Sequence, residues 1–167
     1  MIKIHVADYG IITLELDYEA APNSAANFVS LARQGFYDGL IFHRIIKGFM
    51  IQGGAGEVKK RSLDYTLKGE FAANGWKNPL LHDRGVISMA RTNDPNSATS
   101  QFFIMHKKAP HLDGQYAAFG KMTDGFDVLD KIASTQTGYA DFPLNPPVIE
   151  KIEVIDEIER PFEKYRR

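Results

Sequence analysis

The sequence of 167 residues contains no cysteine. Without a thiol there can be no disulfide framework, no cysteine nucleophile and no thiolate metal site. A chain of this length buries roughly two-thirds of the surface that it exposes when unfolded, so packing alone can stabilise the fold. We therefore expect a single globular domain over residues 1–167, with a flexible tail at 160–167.

Long apolar runs and a strong net charge are missing as well. No apolar segment approaches the roughly 20 residues of a membrane span. Met1 to Asp17 alternates apolar with polar residues and lacks the pattern of a signal peptide. The formal net charge is −1, so no overall field would attract nucleic acid or an acidic membrane. We expect a cytoplasmic monomer with no nucleic-acid partner and no membrane partner.

Short alternating or apolar segments predict most of the secondary structure. Ile2 to Val6 and Ile12 to Leu16, with Asp8-Tyr9-Gly10 between them, predict a β-hairpin. Apolar runs bounded by Gly, Asn, Asp or Pro predict six further strands. These strands are expected at 41–46, 49–51, 86–89, 102–105, 117–121 and 148–155.

Two segments carry a helical pattern. Pro22 suits the first turn of a helix and Gly35 suits its end, which predicts a helix over 22–34. A second helix is expected after Asp124, which we predict to be its N-terminal cap. About eight strands, two helices and no βαβ alternation favour a mainly β fold. We expect a closed eight-stranded antiparallel β-barrel with two capping α-helices, in which the first and last strands pair.

Motifs for three kinds of functional site, a hydrolase triad, a metal site and a phosphate-binding loop, are incomplete in this sequence. Ser100, His106 and Asp113 are the residue types of a hydrolase triad, but the chain lacks the Gly-x-Ser-x-Gly elbow. The five histidines show no metal-ligand spacing. The segment 53–56 lacks the Gly-Lys-Ser/Thr ending of a phosphate loop. The polar stretch 53–81 is long and irregular, which is often a functional feature in a compact domain.

Two segments are specific enough to suggest a family. The first is Phe42-His43-Arg44-Ile45-Ile46-Lys47-Gly48-Phe49-Met50-Ile51-Gln52-Gly53-Gly54, and the second is Ser88-Met89-Ala90-Arg91 with its continuation Ser100-Gln101-Phe102-Phe103-Ile104. Both resemble the signature segments of cyclophilins, and Leu112-Asp113-Gly114 followed by Phe119-Gly120 resembles a third. The resemblance extends from Ile2 to about Asp156.

This resemblance implies a substrate groove on the outside of a filled barrel. Arg44 matches the catalytic arginine of the family, and Gln52 matches the glutamine that positions the arginine and the substrate. Phe49, Met50, Phe103 and Leu112 match the pocket for the proline ring. The groove beside the pocket is matched by Ala90, Arg91, Thr92 and Gln101. The other positions expected to bind substrate are His43, His111 and Tyr116.

These residue types suit isomerisation of a peptide bond that precedes proline. Rotation about such an amide has a barrier of about 18–20 kcal/mol, and at its top the prolyl nitrogen recovers a lone pair. Arginine is always protonated and offers several rigidly arranged donors, so it can stabilise that nitrogen. An apolar pocket can hold the ring meanwhile. The mechanism needs no metal and no cofactor.

Several positions differ from the best-known eukaryotic cyclophilins. His111 replaces a tryptophan, Tyr116 a histidine, Arg91 an asparagine and Lys47 a frequent proline, so the pattern is more similar to bacterial cyclophilins. Because the tryptophan is associated with tight cyclosporin binding, we expect weak inhibition by cyclosporin. Arg91 and Thr92 are expected to matter less if their positions contribute mainly backbone groups.

The resemblance therefore predicts a peptidyl-prolyl cis-trans isomerase that acts on proline-containing peptides and on unfolded or flexible protein segments. The alternative is a non-catalytic module that binds proline peptides, or acts as a chaperone, through the same groove. The presence of both Arg44 and Gln52 favours the enzyme.

Overall fold

A computed structural model of the chain describes residues 1–166, except for the side chain of Val58; Arg167, at the end of the predicted tail, lies outside the described residues. The two α-helices of the described part are α1 (Pro22–Arg33) and α2 (Phe126–Ala133). Its strands are β1 (Ile2–Val6), β2 (Gly10–Leu16), β3 (Phe42–Ile46), β4 (Met50–Gly53), β5 (Tyr65–Thr66), β6 (Val86–Met89), β7 (Phe102–Met105), β8 (Ala118–Asp124), β9 (Ile149–Val154) and β10 (Tyr165–Arg166).

One strongly curled sheet of eight antiparallel strands dominates the fold. The strand order is β3-β4-β7-β6-β8-β2-β1-β9. The predicted hairpin forms as expected, with Ile4 opposite Ile12, and the first strand also pairs with the last, with Ile4 opposite Ile152. The mainly β architecture with two helices is thereby confirmed.

The prediction that the barrel is closed is wrong, because the sheet stays open between its edge strands β3 and β9. Their segments meet only near a single bridge between Ile41 and Val148, with hydrogen bonds such as Phe42 N–H to Pro147 O. The start of β3 is therefore bonded to the loop that precedes β9, as in Phe42 N–H to Pro147 O. The start of β9 is bonded to the turn that precedes β3, as in Ile149 N–H to Leu40 O. Prolines at 143, 146 and 147 also lack the N–H that a ladder requires.

The inner face of the sheet is filled by one apolar cluster. Ile2, Ile4, Ile12 and Leu14 are each fully buried there. Phe28 of α1 packs its ring within 5.5 Å of the ring of Phe102. Close packing of this kind leaves no room for a ligand inside the curled sheet, so any ligand site has to lie elsewhere.

A second, smaller apolar cluster covers part of the outer face. All four residues of β7 are buried because they alternate between the two clusters. Phe102 and Ile104 point to the inner cluster, whereas Phe103 and Met105 point to the outer one. This explains why 102–105 is a continuous apolar run and does not alternate with polar residues.

The second helix begins differently from the prediction. Strand β8 continues to Asp124, and the N-terminal cap is Gly125 with φ +92. A Cβ atom at Gly125 would lie 2.4 Å from Ile11 O, so this close approach requires glycine. The buried face of α2 consists of Val128, Leu129, Ile132 and Ala133. No helix of residues 1–166 is long and apolar enough to cross a membrane.

The irregular segment 53–81 is attached to the first helix by a buried carboxylate. Glu70 is 2% exposed, and its Oε1 accepts bonds from the N–H and hydroxyl of Ser24, both at 2.7 Å. Its Oε2 accepts the N–H of Asn23 at 3.0 Å. Glu70 therefore satisfies donors at the N-terminus of α1, where a negative charge is also favourable. Burial raises the pKa of Glu70, and these hydrogen bonds oppose the rise.

The last residues fold back onto this segment. Tyr165 pairs with Thr66, and the ring of Phe162 lies 6.0 Å from that of Tyr65. The predicted tail thus forms a short ladder with β5 over the residues described. Its flexibility stays a prediction.

Replacing Glu70 should destabilise the fold without a direct effect on the outer face. Glu70→Ala leaves buried donors of Asn23 and Ser24 unpaired, and we expect a loss of about 2 kcal/mol in the free energy of unfolding. Glu70→Gln keeps one acceptor oxygen and should lose less. Urea denaturation measures both variants; equal stability of wild type and Glu70→Ala would contradict this role.

Candidate active site

A row of side chains crosses four adjacent strands on the outer face. Arg44 on β3 is opposite Gln52 on β4, which is opposite Phe103 on β7, which is opposite Ser88 on β6. Directly opposed residues in a sheet project from the same face. Strand pairing therefore brings together residues that are 59 positions apart in the chain, from Arg44 to Phe103.

A cavity of about 130 Å³ opens beside this row. In another protein a cavity of roughly 150 Å³ holds a benzene molecule, so this volume suits a single small ring. The lining brings together nine residues predicted for the site: Arg44, Phe49, Met50, Gln52, Ala90, Arg91, Phe103, Leu112 and Tyr116.

Aromatic contacts support the walls of this cavity. The ring of Tyr116 meets the ring of Phe103 edge-on, with centroids 5.6 Å apart. His111 stacks on Phe49 at 5.8 Å and does not itself line the cavity. Met50, Phe103 and Leu112 are 2%, 5% and 8% exposed, so the cavity floor is apolar.

Two charged side chains, Arg44 and Arg91, line the cavity, and that of Arg44 is exposed. Among the described residues, its guanidinium has no ion pair and no hydrogen bond. In the described part of the chain, Arg44 is therefore not half of a surface salt bridge. Its donors are available to a ligand.

Gln52 lies next to Arg44 through strand pairing and has a different hydrogen-bond partner. Its Nε2 donates to Oε1 of Gln101 at 3.0 Å. Gln101 in turn lines a second cavity of about 400 Å³, which shares Gln52, Ala90 and Arg91 with the first. Together the two cavities form one groove. Thr92 also lines the second cavity, as do three residues that were not predicted: Glu57, Ser97 and Thr99.

The side chain of Arg91 is part of the groove wall. Its guanidinium lies 4.6 Å from the ring centre of Tyr116 and 4.9 Å from that of Phe71. It also donates to the carbonyl oxygens of Gln115 and Thr92. Arg91 therefore contributes more than backbone groups to the groove, because its side chain lines both cavities.

His43 lies apart from both cavity linings, at a register shift between Phe42 and Arg44. Its Nδ1 atom is buried and has no hydrogen-bond partner among the described residues. Burial lowers the pKa of His43, and the positive charge of Arg44 lowers it further. His43 is therefore neutral near pH 7 and adds no positive charge beside Arg44.

The hydrolase triad does not assemble from Ser100, His106 and Asp113. Ser100 donates to Gly54 O, and His106 contacts Asp130 and the N–H of Gly48. Asp113 binds His82 instead. In the described part of the chain, no three acidic, histidine or cysteine side chains cluster as metal ligands.

The sequence analysis missed His82 and Ser88, which lie behind Phe103. His82 Nε2 is 2.9 Å from Ser88 Oγ, and the His82 ring stacks on Phe103 with centroids 6.0 Å apart. A signal was present for Ser88, because it is the one polar residue in the apolar run Val86–Met89. His82 lies in an irregular segment without periodicity, and nothing in the sequence singled it out.

Comparison with known proteins identifies the family. The family model described as cyclophilin type peptidyl-prolyl cis-trans isomerase/CLD matches residues 1–154. The chain belongs to the cyclophilin family. The match includes every strand from β1 to β9 and all the residues that line the two cavities.

Curated relatives of this cyclophilin include proteins from a plant and from bacteria. A peptidyl-prolyl cis-trans isomerase of Arabidopsis thaliana is 46% identical over 144 residues, covering 86% of this chain and 88% of the relative. Peptidyl-prolyl cis-trans isomerase B of Escherichia coli is 39% identical over 168 residues, covering 92% and 99%. Isomerase A of Dickeya dadantii is 45% identical over 157 residues, covering 87% and 80%.

Solved structures support the same fold. The crystal structure of a cyclophilin type isomerase from Cryptosporidium parvum was determined in the presence of the dipeptide Ala-Pro. It matches this cyclophilin with a TM-score of 0.82 at 32% identity, covering 93% of this chain and 99% of that one. A cyclophilin from Hirschia baltica matches with a TM-score of 0.80 at 28% identity, covering 94% and 74%.

Two histidines, the partly buried His43 and the buried His82, should make stability depend on pH. Burial lowers the pKa of both His43 and His82. In the unfolded chain, histidine side chains have a pKa of about 6.5. The unfolded state therefore takes up protons first, and stability present above about pH 6.5 is lost as pH falls through the folded-state values. Urea denaturation at a series of pH values should show this loss.

The matched variants are His43→Gln and His82→Gln, each of which removes one titrating group. Each should flatten the dependence of the unfolding free energy on pH below about 6.5. If the unfolding free energy of both variants depended on pH as steeply as that of wild type, the two histidines would not be the source of the pH dependence.

Proposed function

We propose that this cyclophilin catalyses cis-trans exchange of X-Pro peptide bonds in proline-containing peptides and in unfolded or flexible segments, with Arg44 as the catalytic residue. The observation that carries the proposal is an unpaired guanidinium at the edge of an apolar cavity sized for one small ring. The cavity is the proposed proline pocket, and its grip comes from Phe49, Met50, Phe103 and Leu112.

The chemistry asked of the site is modest. Exchange breaks no covalent bond, but the amide loses its resonance as the C–N bond twists, at a cost of about 18–20 kcal/mol. The prolyl nitrogen becomes a hydrogen-bond acceptor only in the twisted state. A donor aimed at this nitrogen therefore stabilises the transition state over both ground states, which is the condition for catalysis.

Arg44 suits this role because it stays charged and offers several donors. Its hydrogen bond gains strength beside an apolar floor, where little water competes. Each ~1.4 kcal/mol of preferential binding to the twisted state accelerates exchange tenfold. The pocket holds the ring while the preceding carbonyl rotates, and no metal or cofactor takes part in this scheme.

The second cavity is the proposed site for residues next to the proline. It shares Gln52, Ala90 and Arg91 with the proline pocket, so an extended peptide can occupy both. Gln52, fixed by its bond to Gln101, is placed to contact the peptide near Arg44. Thr92 borders the same channel. His43 and His111 act at the margins, and His111 supports Phe49. The cytoplasmic location and the monomeric state stay predictions.

Removing the guanidinium should abolish most of the activity while leaving binding largely intact. We expect Arg44→Ala to lose roughly 100-fold or more in kcat/KM, because it lacks the donor that acts in the transition state. Exchange spectroscopy on a short X-Pro peptide gives the rate, and titration calorimetry gives the affinity.

The control for this variant is Arg166→Ala, which removes another exposed arginine that pairs with Asp64. It should retain full activity. If the wild-type protein bound the peptide but did not accelerate its cis-trans exchange, the protein would be a recognition module and the proposal would be wrong. Full activity of Arg44→Ala would rule out the proposed role of the arginine.

Cyclosporin should bind this cyclophilin weakly. The resemblance associates tight binding with a tryptophan at the position of His111, and the smaller imidazole offers less apolar area. We expect inhibition in the micromolar range or weaker for wild type. His111→Trp should bind roughly tenfold tighter or more, a gain of ~1.4 kcal/mol. Sub-micromolar inhibition of wild type would contradict this expectation.

A further inference from the structure

A chain of three polar side chains, of which His82 and Ser88 are buried and Asp113 is partly exposed, lies directly behind the proline pocket. His82 Nδ1 is 3.1 Å from Asp113 Oδ1, and His82 Nε2 is 2.9 Å from Ser88 Oγ. The backbone N–H of His82 also donates to Asp113 Oδ1, at 2.6 Å. The order Ser-His-Asp is that of a hydrolase triad, but Ser88 is fully buried and His82 is 1% exposed. No substrate can reach them, so nucleophilic catalysis is excluded.

These three residues connect separate segments that build the pocket. Ser88 on β6 is paired opposite Phe103. Asp113 directly follows Leu112, and the carbonyl of His82 accepts the N–H of Ala109, at the start of the turn that carries Leu112. The ring of His82 stacks on Phe103 and also meets the ring of Tyr116, 6.5 Å away.

The protonation pattern follows from the partners. An ionised Asp113 can only accept, so Nδ1 of a neutral His82 carries the proton and Nε2 accepts the Ser88 hydroxyl. Burial lowers the pKa of His82 and thereby favours the neutral ring, although the hydrogen bond to Asp113 opposes the shift. Every polar atom of this imidazole then has a partner, as a buried ring requires.

We propose that His82, Ser88 and Asp113 form a positioning network that holds Phe103, Leu112 and Tyr116 in the shape that grips a proline ring. The proposal rests on the proposed function of the pocket. None of the three lines the cavity, so they act only through its walls. Loosened walls weaken the grip in the ground state and the transition state alike, which raises KM and leaves kcat nearly unchanged.

Two variants of Asp113 separate a hydrogen-bonding role from a role of its charge. Both bonds from His82 reach the same atom, Oδ1. Asp113→Asn keeps this oxygen and removes the charge, whereas Asp113→Ala removes the oxygen. We expect Asp113→Ala to raise KM, and the Kd for the dipeptide Ala-Pro, roughly tenfold with kcat within about threefold. Asp113→Asn should stay within about twofold of wild type.

The matched control is Tyr65→Phe, which removes another buried hydrogen bond. The Tyr65 hydroxyl donates to Asn27 Oδ1 at 2.6 Å within the inner cluster, apart from the pocket. It should lower the stability and leave KM and Kd unchanged. Ser88→Ala, which removes one hydroxyl from the network, is compared in the same way and decides the question if Asp113→Ala does not fold.

Measurements of exchange kinetics, Ala-Pro affinity and unfolding free energy on these proteins test the network. An unchanged Kd in both Asp113→Ala and Ser88→Ala would overturn it, as would an equal loss of affinity in Tyr65→Phe. If Asp113→Asn behaved as Asp113→Ala, the charge and not the hydrogen bond would be responsible, contrary to the proposal. If the wild-type protein bound Ala-Pro without accelerating exchange, only the proposed function would be contradicted. The comparison of Kd values among the variants would still test the network.

Discussion

The filling of the inner face of the curled sheet is the constraint on which the site depends. Phe28 of α1 packs among Tyr37, Phe102 and Phe119, with ring centroids 5.3 to 5.5 Å apart. A close-packed interior admits no ligand, so binding has to use the outer face. The strands β4, β6 and β7 carry apolar residues there as well, and a loop with Leu112 and Tyr116 folds over them. The groove is the space that this second layer leaves open.

The placement of Arg44 follows from the same architecture. It projects from β3, the edge strand of the open sheet, so one side of it faces solvent and the other faces the apolar cavity. An unpaired charge at such a boundary avoids the full cost of burial and still acts where water is scarce.

Buried polar groups stabilise the segments that regular secondary structure does not. Glu70 fixes the irregular stretch before β6 to the start of α1, and His82 connects that stretch to β6 and to the loop after β7. Apolar contacts alone have little directional preference, whereas hydrogen bonds between buried groups specify one arrangement. This explains how a long stretch with little periodicity adopts one conformation around a binding site.

The sequence by itself determined the family resemblance, the two helices, the eight strands of the curled sheet and the residues brought together at the first cavity, but not the short strands β5 and β10. The periodicity of apolar residues, the turn residues and the motif around Arg44 depend on positions that are close together in the sequence, so they can be recognised from the sequence alone. The open sheet edge, the glycine cap at Gly125 and the contacts of Arg91 depended on residues distant in sequence. His82 and Ser88 were decided only by the tertiary structure, because a buried hydrogen bond joins partners that no periodicity links. Strand register and loop packing bring such partners together, and neither can be predicted from neighbouring residues in the sequence.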